Sequence, residues 1–437
     1  MPKQFLPLFE GLSLFDLTLE RISDGSIFSA PVIVTAQPLA ELVSQSMERA
    51  KCQGQIVLEP CRRNSAPAIA IAAELVAKMA PDALILVLAA DHLIEDAAAF
   101  RAAISESAGM AAQGKIITFG IAPDGPSTSY GYIRPGADIG EGICAIDRFI
   151  EKPAAARAAE LVAEGCLWNS GNFLFRADVM CAEIENFEPR IAEMAKAAAK
   201  NMMSQQEPPS LYLIPEQIFA QSPSISIDYA VMERTARAAC KPVHYRWSDM
   251  GTWNSVWSHF DKDGNGNATR GSVSLFEVKN SLVFSESLHV AVAGLENIAV
   301  VATRDAVLVA PRDVSSSLTH LVAALKSDPE TEHLAVVPAT ASHNWGHESC
   351  IAHEETFSTK IVTLAAGKST PTIVHPHTDI HLLVIAGQAL AILGDTEVQA
   401  ATNASIFVSA GTPFKLVNSS QKDVRYLELA ISRETDA

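Results

Sequence analysis

Two aspartates stand where an acidic side chain could hold a divalent cation. Asp91 follows an apolar run, in Leu88-Ala89-Ala90-Asp91-His92-Leu93-Ile94. An acidic residue at the carboxyl end of a strand lies on the active edge of an open α/β sheet. There it can coordinate Mg²⁺ and bridge nucleotide phosphates. Capping the following helix is an equally good use for it. Asp249 lies in Trp247-Ser248-Asp249-Met250-Gly251-Thr252-Trp253, where small residues and tryptophans suit a site wall that a ligand approaches closely. Two carboxylates from distant segments make sense in nucleotidyl transfer. Attack on an α-phosphate accumulates negative charge, which a metal and cationic side chains can stabilise.

A second group suits a sugar phosphate. In Tyr130-Gly131-Tyr132-Ile133, Gly131 permits close approach, and in Phe149-Ile150-Glu151-Lys152-Pro153 a carboxylate precedes a cation. Glu151 can accept from sugar hydroxyls and Lys152 can pair with phosphate. A Glu-Lys-Pro surface turn is the plain alternative. Near the carboxyl end, His375-Pro376-His377 precedes Thr378-Asp379-Ile380-His381. Imidazoles at i and i+2 on a strand share a face, so these could form a metal cluster.

The elements that must position these residues fall into three textures. Up to about residue 262, short Val/Ile/Leu runs (31–35, 55–58, 84–88, 115–121) alternate with helical stretches (66–80, and 97–113 with Asp96 as N-cap). The run Ala83–Ala90 is expected to be a buried parallel strand. Strand–helix alternation implies a doubly wound α/β domain with ligands at the carboxyl ends of its strands. Asp261–Asn267 is turn-rich and reads as a hinge. Short strands follow (272–276, 281–284, 290–292, 298–301, 306–310), then a helix over 313–327, as in a small β linker. From about His343 the chain is nearly all β, with turns at Ala386-Gly387 and Ala410-Gly411, and a compact jelly roll fits. The expected domains are therefore 1–262, 263–335 and 336–437.

The chain has 437 residues, enough for two or three cores. Its net charge of −17 argues against nucleic acid as a partner. No apolar run is long enough to span a bilayer and no signal segment leads the chain, so a cytoplasmic protein is expected. The seven cysteines are scattered without a C-x-x-C pair and read as free thiols in a reducing compartment.

Taken in order, these motifs resemble the mannose-1-phosphate guanylyltransferases of the bifunctional mannose-6-phosphate isomerase type. Pro2-Lys3-Gln4-Phe5 matches P-K-Q-F, Gly54–Ala68 is similar to E-P-x-G-R-N-T-A-P-A, and 247–253 to W-S-D-V-G-S-W. The segments at 130–133, 149–153 and 167–173 resemble G-Y-G-Y-I, F-x-E-K-P and W-N-S-G-M-F. The resemblance implies GTP and mannose 1-phosphate as partners, GDP-mannose and pyrophosphate as products, and Mg²⁺ on Asp91 and Asp249. Lys3 would contact phosphate, unless it is simply a solvated terminal lysine. Glu59, Arg63 and Asn64 would serve the nucleotide, with an N-cap the alternative for Asn64. Gly131, Glu151, Lys152 and Asn169 would hold the sugar phosphate. Ile227–Glu233 matches as framework, and a homo-oligomer stays open.

Three departures follow from the same comparison. Arg62 stands where the family has glycine, and a side chain there is expected to alter the loop. The family's strand and glycine-rich G-G-x-G-T-R loop, whose backbone N–H groups hold phosphate oxygens, stand just before P-K-Q-F. Met1 is thus expected to be an internal methionine with that loop upstream in frame; without it, poor stability and little activity are expected. In the cupin motif H-H-H-R-A-E-H-W, Ile380 replaces the metal-binding glutamate, and Phe414 fills the position of a further histidine. Asp379 or His381 are left to substitute, and a cupin scaffold without isomerase chemistry is implied. The alternatives to a guanylyltransferase are a catalytically impaired homologue that binds sugar nucleotides, or an enzyme with residual mannose-6-phosphate isomerase activity.

Overall fold

A computed structural model describes residues 2–9, 11–205, 210–303, 306–313, 316–328, 331, 340–343, 345–354 and 356–433. It divides into two compact units, Pro2–Gly251 and Thr252–Ala437.

In the first unit, helices and strands alternate as the apolar periodicity requires. The helices are α1 (Leu14–Arg21), α2 (Ala40–Arg49), α3 (Ser65–Met79), α4 (Ala97–Ala112), α5 (Ala155–Ala163), α6 (Ala177–Phe187), α7 (Pro189–Asn201) and α8 (Glu216–Phe219). The strands are β1 (Val32–Ala36), β2 (Gln55–Glu59), β3 (Leu84–Val87), β4 (Leu93–Ile94), β5 (Ile116–Ile121) and β6 (Tyr132–Gly140). They continue with β7 (Ile143–Ile150), β8 (Leu167–Arg176), β9 (Met203–Gln205), β10 (Ser210–Leu213), β11 (Ala238–Val243) and β12 (Trp247–Ser248). Local chemistry sets the helix starts. Ser13 and Asp16 form a reciprocal capping box on α1, and the Asp96 carboxylate accepts from the Ala99 N–H at 2.8 Å on α4.

The central sheet runs β3-β8-β5-β11-β7-β6, with β5 and β11 parallel and the other pairs antiparallel. The expected parallel partner of the 83–90 run is absent among the described residues. Instead β3 pairs antiparallel with β8, and Leu84 is exposed. Apolar runs report burial but are blind to strand direction. Side-chain alternation sends Phe173 and Phe175 into a core with α3, α6 and α7, while Leu174 packs with Phe100 and Ile104 of α4 on the other face. A separate sheet, β1-β2-β10-β9, packs its Ile56 and Leu58 with Phe15, Val43 and Met47 of α1 and α2.

The second unit starts with α9 (Trp253–His259). The predicted hinge is a closed turn: Asp263 Oδ1 accepts from the Asn265 and Asn267 N–H groups, and buried Asn267 donates to the Val278 carbonyl at 2.8 Å. Six short strands follow: β13 (Ala268–Arg270), β14 (Val273–Phe276), β15 (Leu282–Ser285), β16 (Val290–Ala293), β17 (Ile298–Ala302) and β18 (Val307–Pro311). β13, β15 and β17 pair in parallel, as do β14 and β16, so the chain winds as a parallel β coil. Then comes α10 (Ser316–Ser327).

The carboxyl-terminal strands are β19 (Thr340–His343), β20 (Gly346–His353), β21 (Phe357–Leu364), β22 (Thr378–Ala386) and β23 (Gln388–Leu393). They end with β24 (Thr396–Ala401), β25 (Ser405–Val408), β26 (Phe414–Val417) and β27 (Val424–Ser432). They form the sheets β19-β20-β21-β27-β22-β25 and β24-β23-β26 around one apolar core that includes Ile380, Leu382, Val384, Phe414 and Tyr426.

Candidate functional site

A very short ladder brings the two aspartates together. β12 pairs antiparallel with β4, placing Trp247 opposite Ile94 and Ser248 opposite Leu93. The turn before β4 carries Asp91 and the turn after β12 carries Asp249. Lys3 lies between them. Its Nζ is 3.1 Å from Asp91 Oδ2 and donates to the Asp249 and Met250 carbonyls at 3.1 and 2.9 Å. It is therefore not a loose terminal lysine, since all three of its protons have acceptors. The helix-cap alternative for Asp91 falls to Asp96.

The aspartate turns have aromatic walls. The Tyr130 hydroxyl donates to Asp249 Oδ1 at 2.9 Å, and so does the Gly251 N–H, also at 2.9 Å. A Cβ on Gly251 would lie 2.6 Å from Asp249 Oδ2, so any other residue there would displace the folded-back carboxylate. The Trp247 indole N–H donates to His92 Nδ1 at 3.3 Å, leaving the neutral imidazole's proton on Nε2. Burial lowers the His92 pKa.

Gly131, Glu151, Lys152 and Asn169 form a second cluster. The Asn169 N–H donates to the Gly131 carbonyl at 2.8 Å. A Cβ on Gly131 would lie 2.5 Å from Glu151 Oε2, so the glycine leaves room for that carboxylate. Lys152 Nζ sits 3.3 Å from Glu151 Oε1 at the exposed rim. The Asn169 carboxamide accepts from Thr118 Oγ1 at 2.7 Å and donates to Asp228 Oδ1 at 3.1 Å. Burial raises the pKa of Glu151, and does the same for Asp228. Asp228 and Tyr130 are the residues sequence reasoning passed over. The first was read as framework and the second as a flank of Gly131.

The third group divides. Glu59 ends β2 with Oε1 buried and without a hydrogen-bond partner, and burial pushes its carboxyl pKa up to about 7. The Arg63 guanidinium donates to the Ala220 carbonyl at 2.6 Å, and its Nε is buried without a partner. Asn64 caps α3, its Oδ1 accepting from the Ser65 N–H at 2.9 Å. Arg62 is not in the left-handed region, so it is carried without strain. Asn64, at φ 67°, is the residue that makes the turn.

In the carboxyl-terminal sheets Ile380 and Phe414 are buried in the core. Asp379 accepts from Arg433 at 2.6 and 2.9 Å and from the Ala410 N–H at 2.8 Å, and the His381 ring lies 5.0 Å from that of Phe407. Lys360 on β21 meets Glu348 of β20 at 2.8 Å and Glu428 of β27 at 3.0 Å. Among the described residues no group of three or more His, Cys, Asp or Glu side chains is arranged to hold a metal.

A layered α/β fold that brings two aspartate turns and a lysine together suits a nucleotidyltransferase. Residues 1–266 match the nucleotidyl transferase family and residues 360–430 match the cupin domain. The Sinorhizobium fredii mannose-1-phosphate guanylyltransferase is 36% identical over 430 residues, covering 98% of this chain and 83% of that one. The xanthan biosynthesis protein XanB of Xanthomonas campestris is 37% identical, covering 98% and 90%. The chain belongs to this family of mannose-1-phosphate guanylyltransferases. A Thermus thermophilus structure described as mannose-1-phosphate geranyltransferase is similar with TM-score 0.65 and 29% identity, over 74% of this chain and 92% of that one. A Helicobacter pylori mannose-6-phosphate isomerase structure follows at TM-score 0.52 and 30% identity, over 56% and 95%.

Proposed function

We propose that the chain transfers GMP from GTP to mannose 1-phosphate, releasing GDP-mannose and pyrophosphate. The transfer proceeds by in-line attack without a covalent enzyme intermediate. The observation that carries this reading is the meeting of Lys3, Asp91 and Asp249 across the β4–β12 ladder. Two carboxylates suit Mg²⁺, which is commonly held by one or two carboxylates with substrate phosphates and waters completing its shell. Bound there, Mg²⁺ supplies charge neutralisation at the phosphates. Lys3 positions the two aspartate turns and adds positive charge at the same place. Glu59 and Arg63 serve the nucleotide, with Asn64 shaping their turn. Gly131, Glu151, Lys152 and Asn169 hold the sugar phosphate, with Asp228 orienting Asn169.

Residues 1–262 form the catalytic module, 263–335 a β connector and 336–437 the cupin. No helix of the described residues is long and apolar enough to cross a membrane, which suits an enzyme of the cytoplasm. Relatives named for xanthan and alginate biosynthesis support a supply of GDP-mannose for polysaccharide assembly. The test is pyrophosphate release from GTP and mannose 1-phosphate. Turnover is expected in the wild type expressed together with the glycine-rich loop, with a loss of about 100-fold or more in Asp249→Asn. No turnover in the wild type sinks the activity, and full turnover in Asp249→Asn sinks the metal assignment.

A further inference from the structure

Asp249 is held by only one of its two carboxylate oxygens. Oδ1 receives the Tyr130 hydroxyl and the Gly251 N–H, each at 2.9 Å, while no hydrogen bond among the described residues reaches Oδ2. Lys3 touches the Asp249 carbonyl, not its side chain. We propose that Tyr130 is a positioning residue for the transfer reaction, turning the Asp249 carboxylate so that Oδ2 alone is presented to the divalent cation. The inference rests on Asp249 being a metal ligand, as argued above.

The phenol is well placed for this task. Its ring is clamped edge-on between Trp168, 4.8 Å away at 64°, and Trp247, 5.2 Å away at 66°. Trp247 is fixed in turn by its bond to His92 and by the β4–β12 ladder. The Tyr130 hydroxyl therefore cannot follow a rotating carboxylate; the carboxylate must come to it. Two donors converging on one oxygen restrict rotation about the Asp249 Cβ–Cγ bond, and hydrogen bonds to an ionised acceptor are stronger than neutral ones. Partners that orient a metal-binding side chain are worth about 10- to 100-fold in metal affinity or activity when removed.

Tyr130→Phe keeps the ring and its tryptophan packing and deletes only the donor. Mn²⁺ binding, followed by electron paramagnetic resonance with α,β-methylene-GTP present, reads the site without turnover. The expected result is Mn²⁺ binding weakened by about tenfold in Tyr130→Phe and further in Asp249→Asn, with the KM for mannose 1-phosphate unchanged. Weakened binding in Asp249→Asn with none in Tyr130→Phe overturns the proposal and leaves the metal assignment standing. Unchanged binding in both variants removes the assignment and the proposal together. A Tyr130→Phe variant that raises only the KM for mannose 1-phosphate means the hydroxyl reads the sugar, and the proposal fails.

Discussion

Replacing Glu59 by glutamine isolates a single proton whose behaviour the structure makes calculable. The Glu59 carboxyl is desolvated, its Oε1 has no partner, and its pKa is about 7 instead of 4.5. A guanine edge offers two N–H donors, so binding it favours the ionised form. With a free-state pKa of about 7, the ionised fraction rises from about 0.09 at pH 6 to about 0.9 at pH 8. GDP-mannose affinity is therefore expected to rise about tenfold across that interval, with about half a proton released per ligand at pH 7. Glu59→Gln should abolish both the slope and the proton release, and weaken binding at pH 8 by about 10- to 100-fold. Calorimetry in two buffers of different ionisation enthalpy measures all three quantities. GDP-mannose suits the purpose because its pyrophosphate diester does not titrate near neutrality. A flat wild-type profile, or a slope that survives in Glu59→Gln, refutes the reasoning. Stability follows the same proton. A raised carboxyl pKa gives a contribution that is whole below about pH 4.5 and is lost as pH rises to about 7, at most about 3 kcal/mol. Glu59→Gln should therefore gain on the wild type as the pH is raised.

Two further substitutions probe the rest of the chain. Gly131→Ala drives a methyl to 2.5 Å from Glu151 Oε2, so the KM for mannose 1-phosphate should rise about tenfold with that for GTP unchanged, measured by steady-state kinetics. Lys360→Met leaves Glu348 and the buried Glu428 without their cation, and should cost the carboxyl-terminal sheets about 3–5 kcal/mol at pH 7 in thermal unfolding. His343 and Lys360 hold the Glu348 pKa at about 2 against burial. Its wild-type contribution is thus present above about pH 4.5 and lost toward pH 2, so the gap between the two proteins should narrow in acid.

Much of the site could be read from the chain because its residues sit next to strong local signals. Asp91 follows an apolar strand, Asp249 stands between tryptophans, and Asp96 precedes the helix it caps. Tyr130 and Asp228 carry no such mark. The hydroxyl of Tyr130 meets a residue 119 positions away, and Asp228 meets Asn169 at a separation of 59. Such meetings depend on strand order, which periodicity does not encode. The antiparallel β3–β8 pairing was hidden for the same reason. The positive φ of the turn after β2 falls on Asn64, two residues beyond Arg62, a detail that residue types alone do not fix. The Lys360–Glu348–Glu428 triad joins three strands and emerges only once β20, β21 and β27 are laid side by side.

The ladder joining the two aspartate turns is only two residues long on each strand. Its rupture would loosen Ile94 and Trp247 from a core that keeps Phe100, Phe119 and Tyr132, whereas Asp91 and Asp249 stand in the turns outside the ladder, so the spacing between them is a local property. A substitution confined to those turns could then separate the two carboxylates with little change in the melting temperature or circular dichroism. For this enzyme, folded and competent are different conditions. Cooperative unfolding reports the first and is silent about the second.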